Sequence, residues 1–253
     1  MNFFIQLRKE LTELGRTRKF LIVAAVLVVF GLTSPLIARF TPDLLKSIPN
    51  MPAGLAGIIP AATLADAVGQ YVKNMGQFGV LLALLLTMGS VAQEKERGTA
   101  SMILTHPVSR LNFLLAKFTA LGIMFAVTTA VAALCCWYYT LLLFEALPLG
   151  PYLALNGLIL VVFLVYISVT LLCSTLVRTQ GAAAGLAFAA LVVVAGIGSL
   201  PRIGDYFPGR LFGWGASLVL GTGDPAWLAL GISAGIILAA LAAAGLIFAR
   251  QEI

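Results

Sequence analysis

A chain of 253 residues that is 60% hydrophobic and only 10% charged, with a mean hydropathy of +1.03, carries more apolar side chain than one water-soluble core can bury. Its formal charge of +6 comes from sixteen Lys and Arg residues set mainly at the ends of apolar runs. That placement suits membrane anchoring rather than a basic face for nucleic acid. Apolar segments of about 18 residues or more recur along the chain, each long enough to cross roughly 30 Å of hydrocarbon. A transmembrane barrel would show alternating segments of about ten residues instead. The predicted fold is an all-α integral membrane protein: six transmembrane helices, an N-terminal amphipathic interfacial helix and a short cytoplasmic coupling helix, in one domain over residues 1–253.

In residues 2–19, Phe4, Leu7, Leu11 and Leu14 repeat at spacings of three and four, while Arg8, Lys9, Glu10 and Glu13 take the other side. This pattern predicts an amphipathic helix lying along the cytoplasmic membrane surface, with Arg16, Arg18 and Lys19 at its junction with the first span. That run is too long for a signal peptide and lacks a small-residue cleavage pattern. Spans are predicted at about residues 20–38, 76–93, 111–144, 152–177, 181–200 and 226–249. Residues 39–73, with Pro42, Pro49, Pro52 and Pro60, read as an irregular outer loop whose later part, 63–71, is expected to be the exposed beginning of the second span's helix. The third span exceeds what the bilayer requires, and Lys117, two turns in, is expected to snorkel back to the interface. The apolar piece 211–220 is too short to cross and reads as interfacial or re-entrant.

Basic residues beside the spans set the orientation. With the N-terminus inside, the inner set is Arg8, Lys9, Arg16, Arg18, Lys19, Lys95, Arg97, Arg110, Lys117, Arg178 and Arg250; the outer set is Arg39, Lys46, Lys73, Arg202 and Arg210. The imbalance predicts both termini in the cytoplasm.

One polar interruption stands out: residues 93–117, between the second and third spans, with four consecutive ionisable residues from Glu94 to Arg97. Gly98 breaks the incoming helix, Thr99 can cap a stub whose Met102, Ile103 and Leu104 form an apolar edge, and His106-Pro107 ends it. Ser109 is placed to cap the third span. This charged knee lies on the cytoplasmic side and is the expected contact for a soluble partner.

Several chemistries are disfavoured. The sequence has no Gly-x-x-x-x-Gly-Lys-Ser/Thr loop to hold nucleotide, so the chain is not expected to hydrolyse ATP. Cys135 and Cys136 point about 100° apart on a helix and lie away from His106, the one histidine. They and Cys173 read as packing residues, and no metal site or catalytic residue is predicted. Ionisable groups are scarce in the span centres, which argues against a membrane enzyme or an ion-driven carrier. Gly181 with Gly185, and Gly231 with Gly235, give two Gly-x-x-x-Gly pairs, read as helix packing ahead of a dimer seam.

The knee resembles that of ABC transporter permeases of the type-two exporter superfamily, through Glu94, Glu96, Arg97, Gly98, Thr99, Leu104, Pro107, Ser109 and Arg110. The layout is similar too: a surface helix, six spans, both termini inside and a broken outer segment before the last span. The resemblance implies a permease subunit, non-catalytic in itself, of an ATP-driven exporter in the plasma membrane. It implies a separate cytoplasmic ATP-binding subunit that carries ATP and Mg, and a second permease, identical or related. It assigns residues 98–110 as the coupling helix, with Glu94, Glu96, Arg97, Gly98, Thr99, Met102, Leu104, Pro107, Ser109 and Arg110 contacting that subunit. The surface helix is a second contact, and Thr87 and Ser90 are polar candidates for the pathway. The rival reading is a membrane scaffold or assembly factor that binds a soluble partner and moves nothing.

Overall fold

The computed structural model describes residues 3–47, 60–98, 110–223 and 225–251. The described residues are all helix and connection, with no strand among them. Helix α1 is Phe3–Arg16, and α2, Lys19–Lys46, is the first span. The second span, Leu64–Glu96, is built of α3 (Leu64–Asn74), a π-helical turn (Met75–Gly79), α4 (Val80–Thr87) and α5 (Ala92–Glu96). Helices α6 (Arg110–Leu143), α7 (Leu149–Leu176) and α8 (Gln180–Gly198) are the third to fifth spans. A short helix α9 (Arg210–Leu220) precedes the sixth span, α10 (Trp227–Arg250). Among the described residues six helices are thus long and apolar enough to cross a membrane.

The first span runs to Lys46 and does not stop before Arg39, with Pro35 and Pro42 inside the helix. Each proline removes one backbone bond, to the carbonyls of Gly31 and Ala38, and the helix continues through both; in the same turns the Thr33, Ser34 and Thr41 hydroxyls donate to the carbonyls of Val29, Phe30 and Ile37. The second span likewise starts early, at a capping box in which the Thr63 hydroxyl accepts from the Asp66 N–H and the Asp66 carboxylate accepts from the Thr63 N–H. Its first turns lie inside the bundle: Ala67, Val68 and Tyr71 are buried.

The fourth span α7 is the hub, with 61% of its most apolar window buried against 11% for α8. Helix α9, 11 residues long, packs on α7, with Leu211, Trp214 and Gly215 buried. In the half of the bundle away from the knee, a chain of buried polar groups crosses the spans. The Tyr71 hydroxyl donates to Asn156 Oδ1 at 2.7 Å, Asn156 Nδ2 donates to the Tyr152 carbonyl, and the Tyr152 hydroxyl donates to the Ala133 carbonyl. With no water in hydrocarbon to serve them, such groups must find partners across the helices.

Close helix contacts fall at different glycines from those the sequence singles out. A Cβ on Gly31 would lie 2.5 Å from the Ala132 carbonyl oxygen, so α2 and α6 meet backbone to backbone there. By contrast Gly181, Gly185, Gly231 and Gly235 have nothing within 4 Å of an added Cβ. The two Gly-x-x-x-Gly pairs therefore do not pack spans together among the described residues.

Candidate functional site

The knee begins at a break in the second span. After Thr87 the chain turns through Met88–Val91 before α5 resumes, which strips several backbone groups of their helical partners. Ser174, near the end of α7, replaces them: its hydroxyl accepts from the N–H groups of Val91 (3.1 Å) and Ala92 (3.0 Å) and donates to the Met88 carbonyl (2.7 Å). One side chain thus satisfies three backbone groups of a neighbouring span in a largely buried setting.

The residues that follow diverge to separate helices. A Glu94 carboxylate oxygen lies 2.7 Å from Lys117 Nζ on α6. The same ammonium lies 3.0 Å from Glu10 on α1, and Lys9 stands 3.4 Å from Glu10 and 3.8 Å from Glu94. Lys117 is only 3% exposed and Glu10 is buried, which corrects two sequence expectations: Lys117 does not snorkel outward, and Glu10 does not sit on a solvated face. The pairing explains both, because two carboxylates and two ammonium groups balance locally where a lone charge in apolar surroundings would be prohibitive. Carboxylate oxygens of Glu10, Glu13 and Glu94 come within 4.8 Å of one another, and the Lys117 ammonium already serves two of these residues as their cation. A cavity of about 40 Å³ beside them, lined in part by Ser90 and Gln93, has room for water.

Lys95 goes the other way. Its Nζ donates to the Thr175 carbonyl and to Gln251 Oε1, each at 2.6 Å, so a cation sits where α7 and α10 end with unpaired carbonyls. Arg110 completes that end: its guanidinium donates to the carbonyls of Phe248 and Gln251 at 2.6 Å and of Ala249 at 3.2 Å. Both cations lie over the buried Phe248 ring, at 5.5 and 5.9 Å from its centroid. Glu96 turns to the fifth span, where its carboxylate accepts from the Gln180 N–H at 3.0 Å. An anion at a helix N-terminus suits both the free donors and the helix dipole. Three successive knee residues therefore hold different helices at the end of the bundle that carries the knee, and Gly98, at φ 69°, closes α5 in the left-handed conformation glycine adopts without strain.

The predicted site residues distribute as follows. Glu94, Glu96 and Arg110 have the partners just given, and Arg97 is exposed at the end of α5. Thr99, Met102, Leu104, Pro107 and Ser109 lie outside the described residues, as does most of the predicted coupling helix. Thr87 is fully buried, with its Oγ1 unpartnered among the described residues, and Ser90 donates to the Thr87 carbonyl. Sequence reasoning missed Lys95, Ser174 and Gln251, and it misread Glu10 and Lys117. An ionisable residue two turns inside an apolar run was the available signal, since such residues rarely occur without a partner.

These features define a polytopic helical membrane protein whose knee gathers its helices at one end. The family model described as "ABC-2 family transporter protein" matches residues 5–253, and the chain belongs to that family. It is 26% identical over 178 residues to the uncharacterized transmembrane protein YxlG of Bacillus subtilis (strain 168), covering 70% of this chain and 69% of the relative. It is 27% identical over 143 residues to the probable ABC transporter permease protein NosY of Stutzerimonas stutzeri, covering 56% of this chain and 47% of that protein. For NosY of Pseudomonas aeruginosa the identity is 31% over 124 residues, 49% of this chain and 40% of that protein. The match thus spans less than half the length of either NosY protein.

Proposed function

We propose that this chain is the membrane permease subunit of an ATP-driven ABC transporter working in the export direction, driven through its knee by a separate ATP-binding subunit. ATP and Mg belong to that subunit, and the permease is non-catalytic. A second permease, a copy or a relative, completes the pathway. Both termini and the knee face the cytoplasm, and the membrane is the plasma membrane.

The observation that carries the reading is the divergence of Glu94, Lys95 and Glu96 to different helices. A rigid-body push on the knee would be felt at once by α1 and by the third to sixth spans, which is what a transmission element requires. Membership of the ABC-2 family and the similarity to proteins named as probable permeases support it. On this reading Glu94 and Glu96 act by holding the knee to the spans, while Arg97, Thr99, Met102, Leu104, Pro107, Ser109 and Arg110 form or flank the docking element.

The test is purification from native membranes in a gentle detergent, followed by identification of associated proteins and assay of Mg-dependent ATP hydrolysis. An associated ATPase whose turnover falls when Arg97 is reversed to Glu supports the proposal. A stable preparation with soluble partners but no ATPase favours the scaffold reading.

A further inference from the structure

Helix α1 has three distinct sides. Gln6, Glu10 and Leu14, four residues apart, are buried against the bundle. At about 100° per residue the opposite side carries Arg8, Thr12 and Arg16, successive members about 40° apart and spread over roughly 12 Å of helix axis. All three are exposed. On one flank of this row lie Phe4, Leu7 and Leu11; Phe4 is 76% exposed. The other flank is polar, with Lys9 and Glu13.

We infer that this outward row is a docking site for the headgroups of anionic phospholipids, with the acyl chains beside Phe4 and Ile5. Three observations carry it. First, the charge along the groove is cationic in excess, with Arg8, Lys9 and Arg16 against the single acid Glu13. Glu10, one of the two acids of α1, is turned inward onto Lys117, which leaves Glu13 against Arg8 and Arg16, with Arg18 exposed at the elbow that follows. Second, an open groove of about 580 Å³ runs along the row, lined by Ile5, Arg8, Thr12 and Arg16, with Lys9 and Glu13 on its polar side. Third, the height is right for a lipid phosphate. The exposed Phe20 and Leu21 begin the first span only a few residues on, so the row lies at the boundary between water and hydrocarbon. The inference needs only that the chain is a membrane protein and stands whether or not it moves cargo.

The consequence reaches the knee. Lipid held on the outer side of α1 presses its inner side, and with it Glu10, against the Lys117–Glu94 pair. Anionic lipid is then a regulator of the same hub, felt through a helix it clamps in place.

The test exchanges the full-length protein into nanodiscs of phosphatidylcholine with a minority of phosphatidylglycerol, releases it, and counts retained lipids by native mass spectrometry. The wild type should retain phosphatidylglycerol several-fold above its bulk fraction. The Arg8→Gln/Arg16→Gln variant should fall to the bulk fraction, Arg8→Lys/Arg16→Lys should keep most of the enrichment, and Glu13→Gln should raise it. If the neutralised variant does not fold, the lysine and Glu13 variants carry the comparison. Wild-type retention at the bulk fraction overturns the inference. So does unchanged enrichment in the neutralised variant, including the case where that variant loses a co-purifying protein, which would make the row a protein contact.

Discussion

The Lys117 ammonium lies 2.7 Å from a Glu94 carboxylate oxygen, joining the end of the second span to the third deep inside the end of the bundle that carries the knee. The two residues are 23 apart in sequence, with the whole polar interruption between them. Glu10 closes the arrangement from α1 at 3.0 Å.

Replacing Lys117 by Met leaves the buried Glu10 and half-buried Glu94 with only the more exposed Lys9 as a nearby cation among the described residues. Loss of one partner from a buried pair costs about 3–5 kcal/mol, so the Lys117→Met variant should melt well below the wild type in detergent. The triple change Lys117→Met, Glu10→Gln and Glu94→Gln should recover much of the loss, because the surviving groups are neutral. A thermal unfolding series on the purified variants distinguishes an electrostatic hub from simple loss of packing.

Ser174→Ala removes the partner of two backbone N–H groups and one carbonyl. An orphaned buried polar group costs about 1–3 kcal/mol. The expected signature is local: hydrogen exchange at the Val91 and Ala92 amides should speed up by an order of magnitude or more, while amides in the middle of α7 stay protected. Unchanged exchange at those two amides would mean that the break in the second span is held by something other than Ser174.

The glycines separate contact within the chain from surfaces left open. Gly31→Val places side chain against the Ala132 carbonyl, and overpacking of this kind costs about 1–3 kcal/mol or more; folded yield in detergent should drop. Gly185→Val meets nothing within this chain and should leave the monomer's melting temperature unchanged. Should a second permease pack on that face, crosslinking yield between copies would fall in the Gly185 variant alone.

The six crossings were legible because apolar runs of that length have few other homes. Their ends were not. Arg39 and Pro42 look like the start of a loop, yet helix continues through both to Lys46. The break at Met88–Val91 has no proline to announce it, and its cause lies in another span, at Ser174. Glu10 and Lys117 show the same limit. Their positions in the sequence allow a solvated carboxylate and a snorkelling amine, and only the packing of α1 on α6 brings each to bury the other. The importance of the knee was visible from its clustered charge, but the separate destinations of Glu94, Lys95 and Glu96 were not.

Reversing Glu96 to Lys should leave the spans inserted, since the residue is exposed, but it places a cation against the N-terminus of α8, where the helix dipole disfavours it. In the purified complex this variant should retain the ATP-binding subunit and lose most of the response of ATP hydrolysis to the permease. Full response would remove Glu96 from the transmission path.

The most direct test of the knee as a joint is a distance measured across it. Spin labels at Arg97→Cys and Arg178→Cys, both exposed positions, would report the separation of the knee from the end of the fourth span by pulsed electron paramagnetic resonance in the assembled transporter. The account predicts a distribution that shifts on adding ATP and Mg to the wild-type background and fails to shift when Lys117 is replaced by Met. A distribution that is the same with and without nucleotide, in a complex that hydrolyses it, would contradict the account.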